Sequence, residues 1–191
     1  MSAVASPATP ITTEQMLALP DEGTDRELIH GELREQPMTM RNRHHSRVGN
    51  RVGHHLTLWL DSLPEPLGEV VSGEAGFRLR RNPDTSVGID VAYVSAEVVG
   101  ATPATSAFYE GPPVLAVEIL SPSDTQEGID EKVSLYLKLG VAIVWVVSPR
   151  FRTVVVHRPD AEPELFNALQ ELTAEPHLPG LRIPVAKLFG V

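Results

Sequence analysis

The sequence predicts an α/β fold, a mixed sheet flanked by helices, and three observations carry that expectation. Val48, Val52, Leu56, Trp59 and Leu63 recur at helical spacing in a proline-free stretch, 41–63, which marks one long amphipathic helix. Residues 114–120 are an almost continuous apolar run, typical of a strand buried on both faces. The order of signals is helix, hairpin, long helix, strands, helix, strands, and that order fits helices packed on a mixed sheet.

Each element has its own local reason. Thr12-Thr13-Glu14-Gln15 is a capping box opening a short helix that ends before Pro20. Residues 26–29 and 32–36 are strand-like runs about the turn His30-Gly31. The long helix follows and is stopped by Pro64. Residues 68–72, 75–79 and 87–94 read as three strands with Gly or Asn-Pro punctuation, and a Pro/Ala/Thr/Gly loop spans 100–113. After the buried run, Asp124-Thr125-Gln126-Glu127 offers a second capping box for a helix running to Leu139, with Gly140 as its stop signal. Residues 143–147 and 153–157 make two further strands around Pro149-Arg150. The remainder carries five prolines after Arg158 and reads as loop, with an edge strand at most.

At 191 residues the chain suits a single domain, 11–191, preceded by an Ala/Ser/Thr/Pro-rich tail at 1–10 expected to be disordered. That start has neither a basic end nor a long apolar run, and no stretch reaches the roughly 18 apolar residues of a membrane span. The expectation is a cytoplasmic protein with no membrane partner. Zero cysteines exclude a disulfide framework, a thiolate metal site and a cysteine nucleophile. The net charge of -9 argues against broad, nonspecific nucleic-acid binding, which rests on basic surface. Arg41, Arg43, Arg47 and Arg51, with His44 and His45 among them, form the one marked basic strip, a pattern more often a solvated face than a DNA track.

Three charges sit where folding alone would not place them. Asp90 is the one charge in the apolar strand 87–94, and Glu118 is the one charge in the run 114–120. A lone buried carboxylate is costly unless paired, hydrogen-bonded or bound to a metal. If the two strands are neighbours, Asp90 and Glu118 converge on one divalent ion, and hard oxygen ligands suit Mg²⁺ or Mn²⁺. Lys132 has Ile129, Leu135 and Tyr136 as helix neighbours, which puts it on or beside an apolar face. There it could stabilise charge on a phosphate or help generate the attacking hydroxide. A structural reading stands beside each: strand acids also meet water at sheet ends, inward lysines snorkel, and Lys132 could pair with Glu118 as a structural salt bridge.

His44, His45, His54 and His55 all fall on the long helix, and adjacent histidines cannot share one helix face, so a four-histidine metal site is not expected. His45 is the one best placed to point toward the acids. Glu27 and Glu32 flank the His30-Gly31 turn and read first as exposed hairpin charges, with Glu32 kept as a candidate on the cleft rim. No Gly-rich phosphate loop, Gly-x-Ser-x-Gly elbow or His-Glu-x-x-His helix occurs.

Glu27-Leu28-Ile29-His30-Gly31-Glu32-Leu33, His45, Ile89-Asp90-Val91-Ala92-Tyr93-Val94, Val117-Glu118-Ile119-Leu120-Ser121-Pro122-Ser123 and Lys132-Val133-Ser134-Leu135-Tyr136 follow in that order. Gly140-Val141 and Val144-Trp145-Val146-Val147 complete a pattern that resembles the Uma-two family of restriction-endonuclease-like proteins, a branch of the PD-(D/E)xK nuclease superfamily. The resemblance covers about residues 25–158. It implies a restriction-endonuclease-like core in which Asp90, Glu118 and the backbone carbonyl of Ile119 bind the metal. The lysine slot two residues after the second acid holds Leu120 here, and the resemblance implies Lys132 as its replacement. Ile89 stands where proline usually precedes the aspartate, and Arg26 and His30 depart from the usual hairpin residues.

The expected activity is therefore a Mg²⁺- or Mn²⁺-dependent phosphodiesterase, an endonuclease acting on DNA. Asp90, Glu118 and Lys132 form its centre, with His45 and Glu32 in support. By analogy, a homodimer suits the cutting of two strands. Two other classes compete: a nuclease-like scaffold that binds or regulates without cutting, and a hydrolase of small phosphoesters.

Overall fold

The computed structural model describes residues 9–38, 42–65 and 67–190. Arg41 and most of the expected N-terminal tail lie outside the described residues. Among these residues the helix α1 (Thr13–Leu17) opens on the Thr12/Gln15 capping box. The strands β1 (Thr24–Ile29) and β2 (Glu32–Pro37) form an antiparallel hairpin. Its two turn residues, His30 and Gly31, both have positive φ, 54° and 79°, the geometry of a tight hairpin turn whose twist matches the strands. That turn fixes the register, so Glu27 faces Arg34 and Ile29 faces Glu32.

The long helix α2 (Arg43–Asp61) starts at Asn42, whose side chain accepts from the backbone N–H groups of His44 and His45. Next comes β3 (Glu69–Arg80), one strand where the sequence suggests two. Gly73 and Glu74 interrupt its pairing with β4 (Thr85–Val94) as a bulge and do not end it. The expected loop at 100–113 is more ordered than its composition implies. The short helix α3 (Ala96–Ala101), capped by Ser95, runs into its start, and it contains β5 (Tyr109–Glu110), which pairs with β3.

The strand β6 (Leu115–Ile119) is buried along its whole length. The helix α4 (Gln126–Lys138) then leads to β7 (Ile143–Ser148), which runs parallel to β6. The cap of α4 is Thr125, accepting from Gly128 N–H, not Asp124, which instead accepts from Ser121 N–H. Then follow β8 (Thr153–His157), the edge strand β9 (Glu164–Asn167), a hairpin of β10 (Glu171–Ala174) and β11 (Leu178–Pro184), and α5 (Val185–Phe189).

The main sheet has the order β2-β1-β4-β6-β7-β8-β9, with β3 and β5 continuing from β4. One face packs Val48, Val52 and Leu56 of α2 against Val91, Val117, Ile143 and Trp145. The opposite face packs Val133 and Tyr136 of α4 against Ala92, Ala116, Val144 and Val146. The C-terminal segment is not the peripheral loop its prolines suggest. Leu172, Leu178, Leu181, Ile183, Val185 and Leu188 are all buried in the α2 cluster. Trp59 Nε1 donates to the carbonyl of Pro179 at 3.0 Å, tying α2 to that hairpin. Prolines in loops and at strand ends leave the intervening apolar residues free to fill a core.

Candidate active site

The sheet forks at the site. β3 lines one edge of β4 from Glu69 to Arg80. The other edge is shared: β1 touches it at Ser86 and β6 from Val91 to Tyr93. Residues 87–90 therefore have no strand partner on that side, and a cavity of about 1010 Å³ opens there. Asp90 stands at the apex. Its Oδ2 accepts from the backbone N–H of Ile119 at 2.8 Å, in place of a ladder partner. Continuing the Val91–Val117 register by one pair sets Asp90 opposite Glu118, and directly opposed residues share a face. By strand alternation the Ile119 carbonyl faces the same fork, while Leu120 N–H turns to the carbonyl of Val147 on the other edge.

Each carboxylate is held from a different helix. Tyr136 Oη donates to Glu118 Oε1 at 2.8 Å, and Lys132 Nζ lies 3.7 Å from Glu118 Oε2. Both come from α4, four residues apart and so on one helix face. His45, at the start of α2 and buried, places Nε2 3.2 Å from Asp90 Oδ2. An ionised Asp90 can only accept, so that bond requires the proton on Nε2. Lys132 has a second partner, Glu27 of β1, at 3.3 Å.

Electrostatics follow from burial with too few cations. Burial raises the Glu118 carboxyl, Asp90 and Glu27 add to the rise, and Lys132 and the Tyr136 bond oppose it; the result is about 7. Burial alone would lower the Lys132 ammonium, but Glu118, Glu27 and Asp90 outweigh it and hold the group above the ordinary lysine range. Lys132 is thus a fixed positive charge at neutral pH. The Tyr136 phenol is pushed well above its usual value by burial and by Glu118, which keeps it a donor. Asp90, Glu118 and Glu27 all act on the one Lys132 ammonium, and Glu27 also acts on the Arg34 guanidinium across the hairpin.

Of the residues singled out from sequence, the structure brings Asp90, Glu118, Lys132 and His45 together, with Ile119 at the same fork. Glu32 is exposed and lines the cavity, but no hydrogen bond or ion pair joins it to the acids. Glu27, which the sequence reads first as an exposed hairpin charge, stands beside Lys132. Its signal was its alternation with Ile29, which packs on the α4 side of the sheet. Tyr136 carried no signal beyond the resemblance, because a tyrosine on an apolar helix face reads as core. Two residues of the basic strip serve the fold: Arg47 and Arg51 donate to the carbonyls of Phe189 and Lys187, each at 3.1 Å, at the C-terminal end of α5. Among the described residues, no group of three or more His, Asp or Glu side chains is arranged to hold a metal ion. Nor is any helix long and apolar enough to cross a membrane.

The sequence profile of the Uma2 family, described as Putative restriction endonuclease, matches residues 13–186. The chain belongs to the Uma2 family. The Uma2 match contains Glu27, His45, Asp90, Glu118, Lys132 and Tyr136. The crystal structure of a putative nuclease belonging to DUF820 from Anabaena variabilis ATCC 29413 shares the fold, with a TM-score of 0.77. It is 22% identical, and the alignment covers 94% of this chain and 98% of that one. No curated protein matches.

Proposed function

We propose that this Uma2 chain is a Mg²⁺- or Mn²⁺-dependent endonuclease that hydrolyses DNA phosphodiester bonds. The observation that carries the proposal is the pairing of Asp90 with Glu118 in an open fork of the sheet, with the Lys132 ammonium 3.7 Å from Glu118. Two carboxylates and a backbone carbonyl fit Mg²⁺, which keeps several waters and needs few protein ligands. Asp90, Glu118 and the Ile119 carbonyl would hold the ion, which supplies Lewis acidity and water activation when bound.

The other residues act by position and charge. Lys132 would stabilise negative charge on the phosphoryl group or position the water nucleophile. Tyr136 and His45 fix the rotamers of Glu118 and Asp90. The test is cleavage of plasmid and single-stranded DNA with Mg²⁺ or Mn²⁺, beside Asp90→Ala and Lys132→Ala. Metal-dependent cutting should fall by roughly a hundredfold or more in both variants. Cutting that persists without added metal, or in Asp90→Ala, contradicts the proposal. Turnover of nucleotide phosphoesters without cutting of polymer would assign the site to small substrates instead.

One observation favours a second reading, a scaffold that binds without cutting. Lys132 already lies between Glu27 and Glu118, which closes a salt bridge across the site. A scaffold of that kind need not bind Mn²⁺, and calorimetry separates the two.

A further inference from the structure

Four charges form a square between the hairpin and α4. Glu27 and Arg34 are direct cross-strand partners, and Glu131 and Lys132 are consecutive on the helix. Arg34 makes a two-bond contact with Glu131, at 2.7 and 3.0 Å, with both side chains about half exposed. Glu27 meets Lys132 at 3.3 Å in a more enclosed position, their side chains 24% and 34% exposed. The two pairs look alike on the hairpin but face different surroundings. Arg34–Glu131 stands in solvent, where such a pair contributes little. Glu27–Lys132 stands at the cavity, and the same ammonium reaches Glu118 on its far side.

We infer that Glu27 is a positioning residue, holding the Lys132 ammonium over the Asp90–Glu118 pair from β1, the strand that bounds the fork opposite β6. The lysine comes from a helix and carries four rotatable carbons, so its head needs an external anchor. Lys132 cannot be fixed by Glu118 alone if that carboxylate is also to serve a cation. Glu27 gives the ammonium a partner that has no other assigned task. The inference rests on the proposed nuclease reading for its purpose, but the anchoring itself can be observed separately.

The chain has three lysines, Lys132, Lys138 and Lys187, so lysine ammonium NMR signals can be assigned with Lys132→Arg. In the intact protein the Lys132 signal should be slowed in solvent exchange. It should shift and broaden in Glu27→Gln and remain unchanged in Glu131→Gln, which breaks the neighbouring exposed pair. In the plasmid assay Glu27→Gln should lower kcat by roughly a hundredfold, as expected for a misplaced group, with KM and Mn²⁺ affinity within twofold. Glu131→Gln should cut like the intact protein. An unmoved Lys132 signal in Glu27→Gln overturns the inference, as does full activity in that variant when the parent cuts. Equal loss in Glu131→Gln overturns it too, because hairpin docking would then be the cause. A parent that neither binds Mn²⁺ nor cuts sinks the nuclease reading, while the lysine signal still decides whether Glu27 is the anchor.

Discussion

Two acids with little exposed surface, Asp84 and Glu118, are oppositely treated, and Glu118 is the more deeply enclosed of the two. Asp84 accepts from the N–H and the hydroxyl of Thr13, at 2.9 and 2.7 Å, and from Asn82 N–H at 3.4 Å. Arg78 Nε stands 3.8 Å away. Burial pushes the Asp84 carboxyl up, the Thr13 and Asn82 bonds and Arg78 push it down, and the result lies below its ordinary value. Glu118 accepts one bond from Tyr136 and has one lysine at 3.7 Å, and burial wins. A structural acid is surrounded by donors that tie α1 to the sheet. The acid at the fork has fewer donors around it, one phenol and one ammonium.

That contrast can be broken first on metal affinity. Glu118→Gln should weaken Mn²⁺ binding by roughly a hundredfold or more, while Asp84→Asn leaves it within twofold by calorimetry. Equal losses would mean that the two acids differ in surroundings but not in task. Stability should divide the other way. Asp84→Asn should cost about 2–3 kcal/mol in denaturant melts, as charge-assisted bonds are lost in a buried place. Metal-free Glu118→Gln should melt at or above the parent, since it removes a poorly compensated buried charge.

The pH dependence has opposite signs at the two sites. Glu118 is raised from 4.5 to about 7, so between those values the folded chain binds more protons than the unfolded one. Its contribution to metal-free stability therefore falls as pH rises from about 4.5 to 7, and the fall should vanish in Glu118→Gln. Asp84 is lowered, so its contribution is present above about pH 4 and is lost on acidification below it. The smallest effect belongs to the exposed Arg34–Glu131 pair, where Glu131→Gln should leave the denaturant midpoint essentially unmoved.

The parts of the candidate site that break a local pattern stand out in the sequence. Asp90 and Glu118 interrupt apolar strands, and Lys132 interrupts an apolar helix face, so period and polarity disagree at each. Asp84 escaped notice because Asn82-Pro83-Asp84 reads as a turn, where an acid is ordinary. Glu27 looked ordinary for the same reason, being one of several charges on a hairpin. The fork itself depends on which strands stop pairing at Ser86 and Val91, and pairing between distant strands leaves no local mark. The buried C-terminal segment was hidden by its prolines, although Leu172, Leu178, Leu181 and Ile183 keep their apolar faces inward between them.

The most direct measurement is the anomalous diffraction of crystals grown with Mn²⁺. A single strong peak within coordination distance of Asp90, Glu118 and the Ile119 carbonyl, absent from Glu118→Gln crystals, is the expected result. No peak at the fork in crystals of the parent protein, with Lys132 still bridging Glu27 and Glu118, would contradict a metal-dependent centre there.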